Sequence, residues 1–319
     1  MALSIVAMGG TDSRPLGVIV GAELSASESR GFQCRNDTDK TGKSHGYVVF
    51  VPQKYRDGEK LPVLMFLNGT GENGNDGVQQ ISNNFGVRVW DMQRFFPFLA
   101  FAPQCRESWA LGGSDMRRAL EILDSLIEEF GADPDRVNLT GVSAGGNAVW
   151  DIASAHPERF GAIIPLCAGG GGDPRRLVEA AVPSWSFCNR HDTTEIVDFN
   201  RLRRAQLIEM GQCPQLTEYP ERGHDCWNRA YQCTAMYAWL AKQSRAGNKA
   251  EGPFEYLPAQ RLVREWRSEG GGEWRVEGDA MVLGCVTWRK MEDGGSNGTG
   301  RRSTEYRVQS TQYAVPSGK

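Results

Sequence analysis

The chain has 319 residues, 40% of them hydrophobic, and a formal net charge of −3. That length accommodates one large α/β domain with an appendage, or two modest domains. The mild acidity offers no electrostatic footprint for nucleic acid, and no window approaches the roughly 18 consecutive apolar residues of a membrane span.

Residues 1–29 show no periodicity and read as a separate, flexible N-terminal segment. The opening MALSIVAMGG is apolar but short and lacks the basic flank of a signal peptide, so the compartment stays open. From about residue 45 an order repeats: apolar run, loop, helical pattern. The runs lie at 47–52, 62–69, 98–103, 136–143, 162–169, 183–189 and 215–220. They are short and continuous, as in strands buried on both faces of a parallel sheet. Helical patterns separate them at 114–130, 144–156, 195–210 and 227–243, with Ser114 as N-cap of the first and Gly131 as its stop. Strands alternating with helices predict a mostly parallel central sheet with helices on both faces. This α/β domain is expected over 30–245.

The composition shifts near Ala246. Residues 246–319 are rich in Gly, Arg, Trp and Glu, and read as a short β-rich or partly disordered C-terminal extension. WRVEGDAMVLGCVTW suggests two short strands, and MEDGGSNGTGRRS a polar loop. Eight cysteines include no C-x-x-C pair, which argues against a zinc ribbon or a thioredoxin-like site. Cys213, Cys226 and Cys233 are close enough in sequence to pair in an oxidising compartment, a choice the sequence leaves open. Sequons at Asn36, Asn68, Asn138 and Asn297 say little about secretion, since two of them fall on predicted core strands.

G-x-S-x-G occurs twice, at Gly141–Gly145 and at Gly294–Gly298. The pattern alone is weak, but the first copy sits between a predicted strand and a predicted helix. A nucleophile elbow needs that context, because the turn is strained and strand and helix approach closely there. Ser143 is therefore the candidate nucleophile, and Ser296, in the polar loop, is not. A serine hydroxyl needs a base, which histidine supplies near neutral pH. Of four histidines, His45 precedes the serine, His156 ends the elbow helix and His191 leaves little room for an intervening acid. His224 follows the last predicted strand, at the carboxyl edge where sites form in open sheets. The acid should end the strand between serine and histidine. Asp192 does so, ahead of Asp173, Glu195, Asp198 and Asp225. For the oxyanion hole, the backbone N–H of Ala144 is one expected donor. The glycine-rich FLNGTGENG loop supplies the other at Thr70, with Gly71 as alternative.

VLMFLNGTGENG, FAPQCRESW, ADPDRVNLTGVSAGGNAVWDIASAHPERF, SWSFCNRHD and TEYPERGHDCWNRAY occur in the order seen in α/β-hydrolase esterases. The chain resembles most the polyhydroxybutyrate-depolymerase and feruloyl-esterase-like group, also described as phospholipase/carboxylesterase or prolyl-oligopeptidase-like. The resemblance implies an α/β-hydrolase fold, an acyl-serine mechanism on Ser143, Asp192 and His224, and no metal or organic cofactor. It implies a small-molecule or polysaccharide-linked ester as substrate. A serine peptidase and a non-catalytic binding protein on the same fold are the alternatives; oligomeric state stays open. Asn68 departs from the family's usual His before Gly, which puts the loop geometry in doubt. Trp109 and Trp227 match family positions near the cleft, where they either line the substrate pocket or pack as buried aromatics. In the tail, EWRVEGDAMVLG is similar to the opening of a concanavalin-like sandwich module.

Overall fold

The continuous apolar runs form strands because neither face of the sheet is left to water. In a computed structural model, the described residues are 30–39, 42–56 and 58–250, with three short strands beyond. The N-terminal segment 1–29, Ser296, Asn297, Cys285 and the MEDGGSNGTGRRS loop lie outside the described residues.

In chain order the first elements are β1 (Gly31–Thr38), β2 (Ser44–Val51), β3 (Val63–Leu67), α1 (Asn84–Met92), β4 (Leu99–Pro103), α2 (Ser114–Glu129), β5 (Val137–Val142) and α3 (Ala144–Ala155). Then come β6 (Ala162–Leu166), α4 (Pro174–Glu179), β7 (Trp185–His191), α5 (Thr194–Glu209), β8 (Gln215–Arg222), α6 (Trp227–Ala230), α7 (Thr234–Leu240) and α8 (Arg245–Ala250). The sheet order is β1-β2-β4-β3-β5-β6-β7-β8. From β4 to β8 neighbouring strands run parallel, and β2 pairs antiparallel with both β1 and β4. Beyond these, β9 (Met281–Leu283) pairs antiparallel with β8, while β10 (Trp288–Lys290) and β11 (Tyr306–Val308) pair with each other.

Side chains alternate across the sheet. Val49, Val63, Met65 and Leu139 face one core with residues of α2 and α3. Val48, Phe50, Leu64 and Phe66 face the other with residues of α1, α6 and α7. This is the mostly parallel α/β arrangement expected from the alternating pattern.

Several details differ: α1 and α4 form where no helix was expected. β1 escaped prediction because Gln33, Arg35, Asn36 and Asp37 break its apolar run; backbone pairing to β2, from Gly31 opposite Val51 to Thr38 opposite Ser44, makes it a strand. Gly113, not Ser114, is the N-cap of α2. The helix expected over 227–243 is two helices broken at Tyr231–Cys233. The break has a physical basis: Tyr231 is fully buried against Phe66 and Phe85, with its hydroxyl 3.0 Å from that of Thr140. The Tyr237 hydroxyl then donates to the Tyr231 carbonyl at 3.1 Å.

Candidate active site

β5 delivers Ser143 to the top of the sheet. The residue adopts φ 55, ψ −117, a conformation that side chains with a Cβ rarely take. Its N–H donates to the Leu166 carbonyl at 2.9 Å, and its carbonyl accepts from Asn147 at 3.0 Å, so both neighbours of the turn hold it. The flanking glycines are required by close approach. A Cβ on Gly145 would lie 2.1 Å from the Leu67 carbonyl oxygen, and one on Gly146 would lie 2.5 Å from that of Leu166.

β7 ends in an irregularity between Asn189 and His191, and Asp192 follows immediately. His224 stands in the turn after β8. That turn is tied down by Asn189, whose amide donates to the Gly223 carbonyl at 2.9 Å and to Asp225 at 3.2 Å. His224 Nε2 is 2.8 Å from Ser143 Oγ, and Nδ1 is 2.9 Å from Asp192 Oδ2. The Asp192 side chain is only 1% exposed, against 38% for His224. Its Oδ1 also accepts from the Thr193 N–H at 2.7 Å. With the imidazole proton on Nδ1, Nε2 is free to accept from the serine hydroxyl, and the buried carboxylate stabilises the imidazolium that results.

The rival acids are elsewhere engaged. Asp173 caps α4, Glu195 and Asp198 lie in α5, and Asp225 is held by Asn189. Cys167 adds a buried thiol beside the pair: its Sγ and ligand atoms of Asp192 and His224 lie within 4.8 Å of one another. Both of those groups are already committed to their mutual hydrogen bond. Cys226 approaches Cys167, Sγ to Sγ at 2.7 Å, and not Cys213 or Cys233.

The loop after β3 passes directly over the serine. A Cβ on Gly69 would meet the Val142 carbonyl at 3.3 Å and Ser143 Cβ at 3.6 Å. Thr70–Glu72 forms a single 3₁₀ turn beginning there. Thr70 and Ala144 each open a helical turn, where an N–H has no acceptor within its own helix. Ala144 follows Ser143 in the chain, and Thr70 lines the same cleft as Ser143. Asn68, where a histidine was expected, is fully buried and satisfied. Its amide donates to the Gly69 carbonyl at 2.8 Å and to Asn73 at 2.9 Å, and its Oδ1 accepts from the Cys105 N–H at 3.0 Å. The substitution therefore leaves the loop anchored.

The cleft has a volume of about 630 Å³, within the usual range for small-molecule sites. Its walls include Asn83, Asn84, Val87, Arg88, Trp227 and Asn228 beside Ser143 and His224. Trp227 stands edge-on to the His224 ring, 5.5 Å between centroids at 88°. Trp109 does not line the cleft. It is buried in the core, and its indole N–H donates to the Asn68 carbonyl at 2.9 Å, so it supports the loop from behind. Of the two tryptophans, burial corrects the pocket reading for Trp109 alone. Sequence reasoning missed Glu72, which reaches the cleft from within the loop. The T-G-E spacing after Gly69 was the available signal, since an acid three residues past a cap returns to that cap's N–H.

The sequence matches the model of the carboxylesterase family over residues 48–161. It is 32% identical to gut esterase 1 of Caenorhabditis elegans over 107 residues, covering 30% of this chain and 19% of that protein. The chain thus spans about a fifth of the length of the first curated relatives it matches. Among solved structures, a thermostable esterase aligns with TM-score 0.61 and 29% identity, covering 67% of this chain and 63% of that one. A ferulic acid esterase aligns with TM-score 0.53 and 16% identity over 66% of this chain and 99% of that one, a likeness of fold alone.

Proposed function

We propose that this chain, which has the α/β-hydrolase fold and matches the carboxylesterase family model over residues 48–161, hydrolyses carboxylic esters through an acyl-serine intermediate. The carrying observation is the unbroken hydrogen-bond chain from the Ser143 hydroxyl through His224 to the buried Asp192 carboxylate at the floor of a cleft. Ser143 Oγ attacks the ester carbonyl while His224 Nε2 takes its proton. The tetrahedral oxyanion is received by the N–H groups of Ala144 and Thr70. His224 returns the proton to the departing alcohol as the carbon–oxygen bond breaks. Water, deprotonated by the same imidazole, then releases the acid and frees the serine.

The cleft suits a polar ester, either a small molecule or one linked to a sugar chain. Asn83, Asn84 and Asn228 supply amide donors and acceptors, and Trp227 supplies a flat apolar surface.

A fluorophosphonate probe tests the nucleophile. Labelling confined to Ser143 and abolished in Ser143→Ala is expected, with loss of nitrophenyl-ester turnover by about 10⁶-fold. Turnover of a matched peptide anilide in preference to the ester would shift the assignment to a peptidase. A folded wild-type protein that neither labels nor turns over would make it a binding protein.

A further inference from the structure

We propose that Glu72 is a positioning residue of the active site. Its side chain, braced by Asn84, holds the Gly69–Thr70 backbone in the orientation that turns the Thr70 N–H toward the oxyanion. The inference deepens the hydrolase assignment and rests on it.

Four contacts carry the proposal. Glu72 Oε2 accepts from the Gly69 N–H at 3.1 Å, while the Glu72 N–H donates to the Gly69 carbonyl at 3.1 Å. This reciprocal pair clamps the turn at both ends of one residue. It also consumes the Gly69 N–H, so the next N–H along, that of Thr70, is left for a ligand. Glu72 Oε1 accepts from the Asn84 amide at 2.8 Å, which ties the loop to the first residue of α1, itself a lining residue of the cleft. The Glu72 carbonyl accepts from the buried amide of Gln104 at 3.2 Å, which fixes the far end of the turn.

Two costs accompany this brace. Asn84 sits at φ 49, in the left-handed region. Glu72 is buried, at 6% exposure, and burial pushes its carboxyl up to about 7. A turn that needed only a cap could use an exposed side chain. Here the acid is placed inside the cleft, beside Ser143 and His224, and both its oxygens are bonded to cleft-lining residues.

Holding a donor in place is worth part of what the donor itself contributes to transition-state binding. Glu72→Ala should therefore lower kcat by about 30-fold with KM within about threefold. Inhibition by phenylboronic acid, which forms a tetrahedral adduct on the serine, should weaken by a similar factor. Inhibition by benzoate, a planar product, should change by less than about threefold. Glu72→Gln, whose amide oxygen can still accept from Gly69 while its NH2 donates to Asn84 once that amide turns its oxygen over, should recover most of the loss. A folded Glu72→Ala with wild-type kcat, or equal weakening of boronate and benzoate, overturns the proposal. If Glu72→Ala does not fold, Asn84→Ala carries the same boronate-to-benzoate comparison: selective weakening of the boronate supports the brace, and equal weakening overturns it. The rate of Ser143 phosphonylation by a fluorophosphonate provides a readout independent of ester turnover. A wild-type protein inert to esters sinks the hydrolase assignment, while a slowed phosphonylation in Glu72→Ala still supports the role of Glu72 and an unchanged rate removes it.

Discussion

Two carboxyl groups, those of Asp192 and Glu72, are both buried at this site but are held differently. Asp192 faces an imidazole and a backbone N–H, so its charge has compensating donors on both oxygens. Glu72 accepts only from a backbone N–H and a neutral amide, and desolvation dominates, raising its carboxyl from 4.5 to about 7. The consequence for stability has a definite sign. Below about pH 4.5 Glu72 is protonated folded or unfolded and exacts nothing. Between 4.5 and about 7 the unfolded chain ionises first, so stability falls as pH rises, and the loss is complete above 7. Glu72→Gln cannot ionise. Its urea unfolding free energy, compared with wild type at matched pH, should therefore improve progressively from pH 5 to pH 7.5. A constant difference across that range would mean that Glu72 titrates normally.

Among elements, the β5–α3 junction is closely packed. Strand β3, strand β6 and helix α3 converge on Gly141, Gly145 and Gly146, where backbone oxygens occupy the space of a Cβ. The Cβ of Gly145→Ala would collide with the carbonyls of Leu67 and Asn68, which belong to backbone and cannot rotate away. The substitution should cost about 3 kcal/mol, the upper end of the usual overpacking range, read as a lower urea midpoint. It should also displace the Gly69–Thr70 loop, because Leu67 and Asn68 lead into it. A variant of wild-type stability would show that helix and strand have room to part. The elbow was legible because its small residues stand between a predicted strand and a predicted helix, a context the second G-x-S-x-G copy lacks. The helix break at Tyr231 was not: it answers to Phe66, Phe85 and Thr140, none of them near in sequence.

At the scale of the whole molecule, the site draws on the carboxyl ends of β3, β5 and β7 and on the turn after β8, all within 30–250. The described residues of both cores likewise fall in this range. We expect a chain ending at residue 250 to fold and to keep ester turnover within about threefold, although it loses the pairing of β9 on β8. Thermal melting and nitrophenyl-ester assays of that chain check the expectation. A truncated protein that aggregates or loses turnover would make the extension part of the catalytic unit.

Alternation of short apolar runs with amphipathic helices was enough to specify a mostly parallel sheet, because burial on both faces leaves a local imprint on its inner strands; the half-buried β1 lacks that imprint. The order of serine, acid and histidine along the chain was legible too, since each candidate follows a strand end and chemistry restricts the residue types. What only the tertiary structure decided are matters of distance: that Trp109 braces a loop from the core and does not line the cleft, that Asn68 takes up the anchoring expected of a histidine, and that Glu72 reaches across to Asn84. Each depends on contacts between segments separated by 12 to 41 residues. No local pattern records such contacts, because the partner's position is set by how the helices and strands pack.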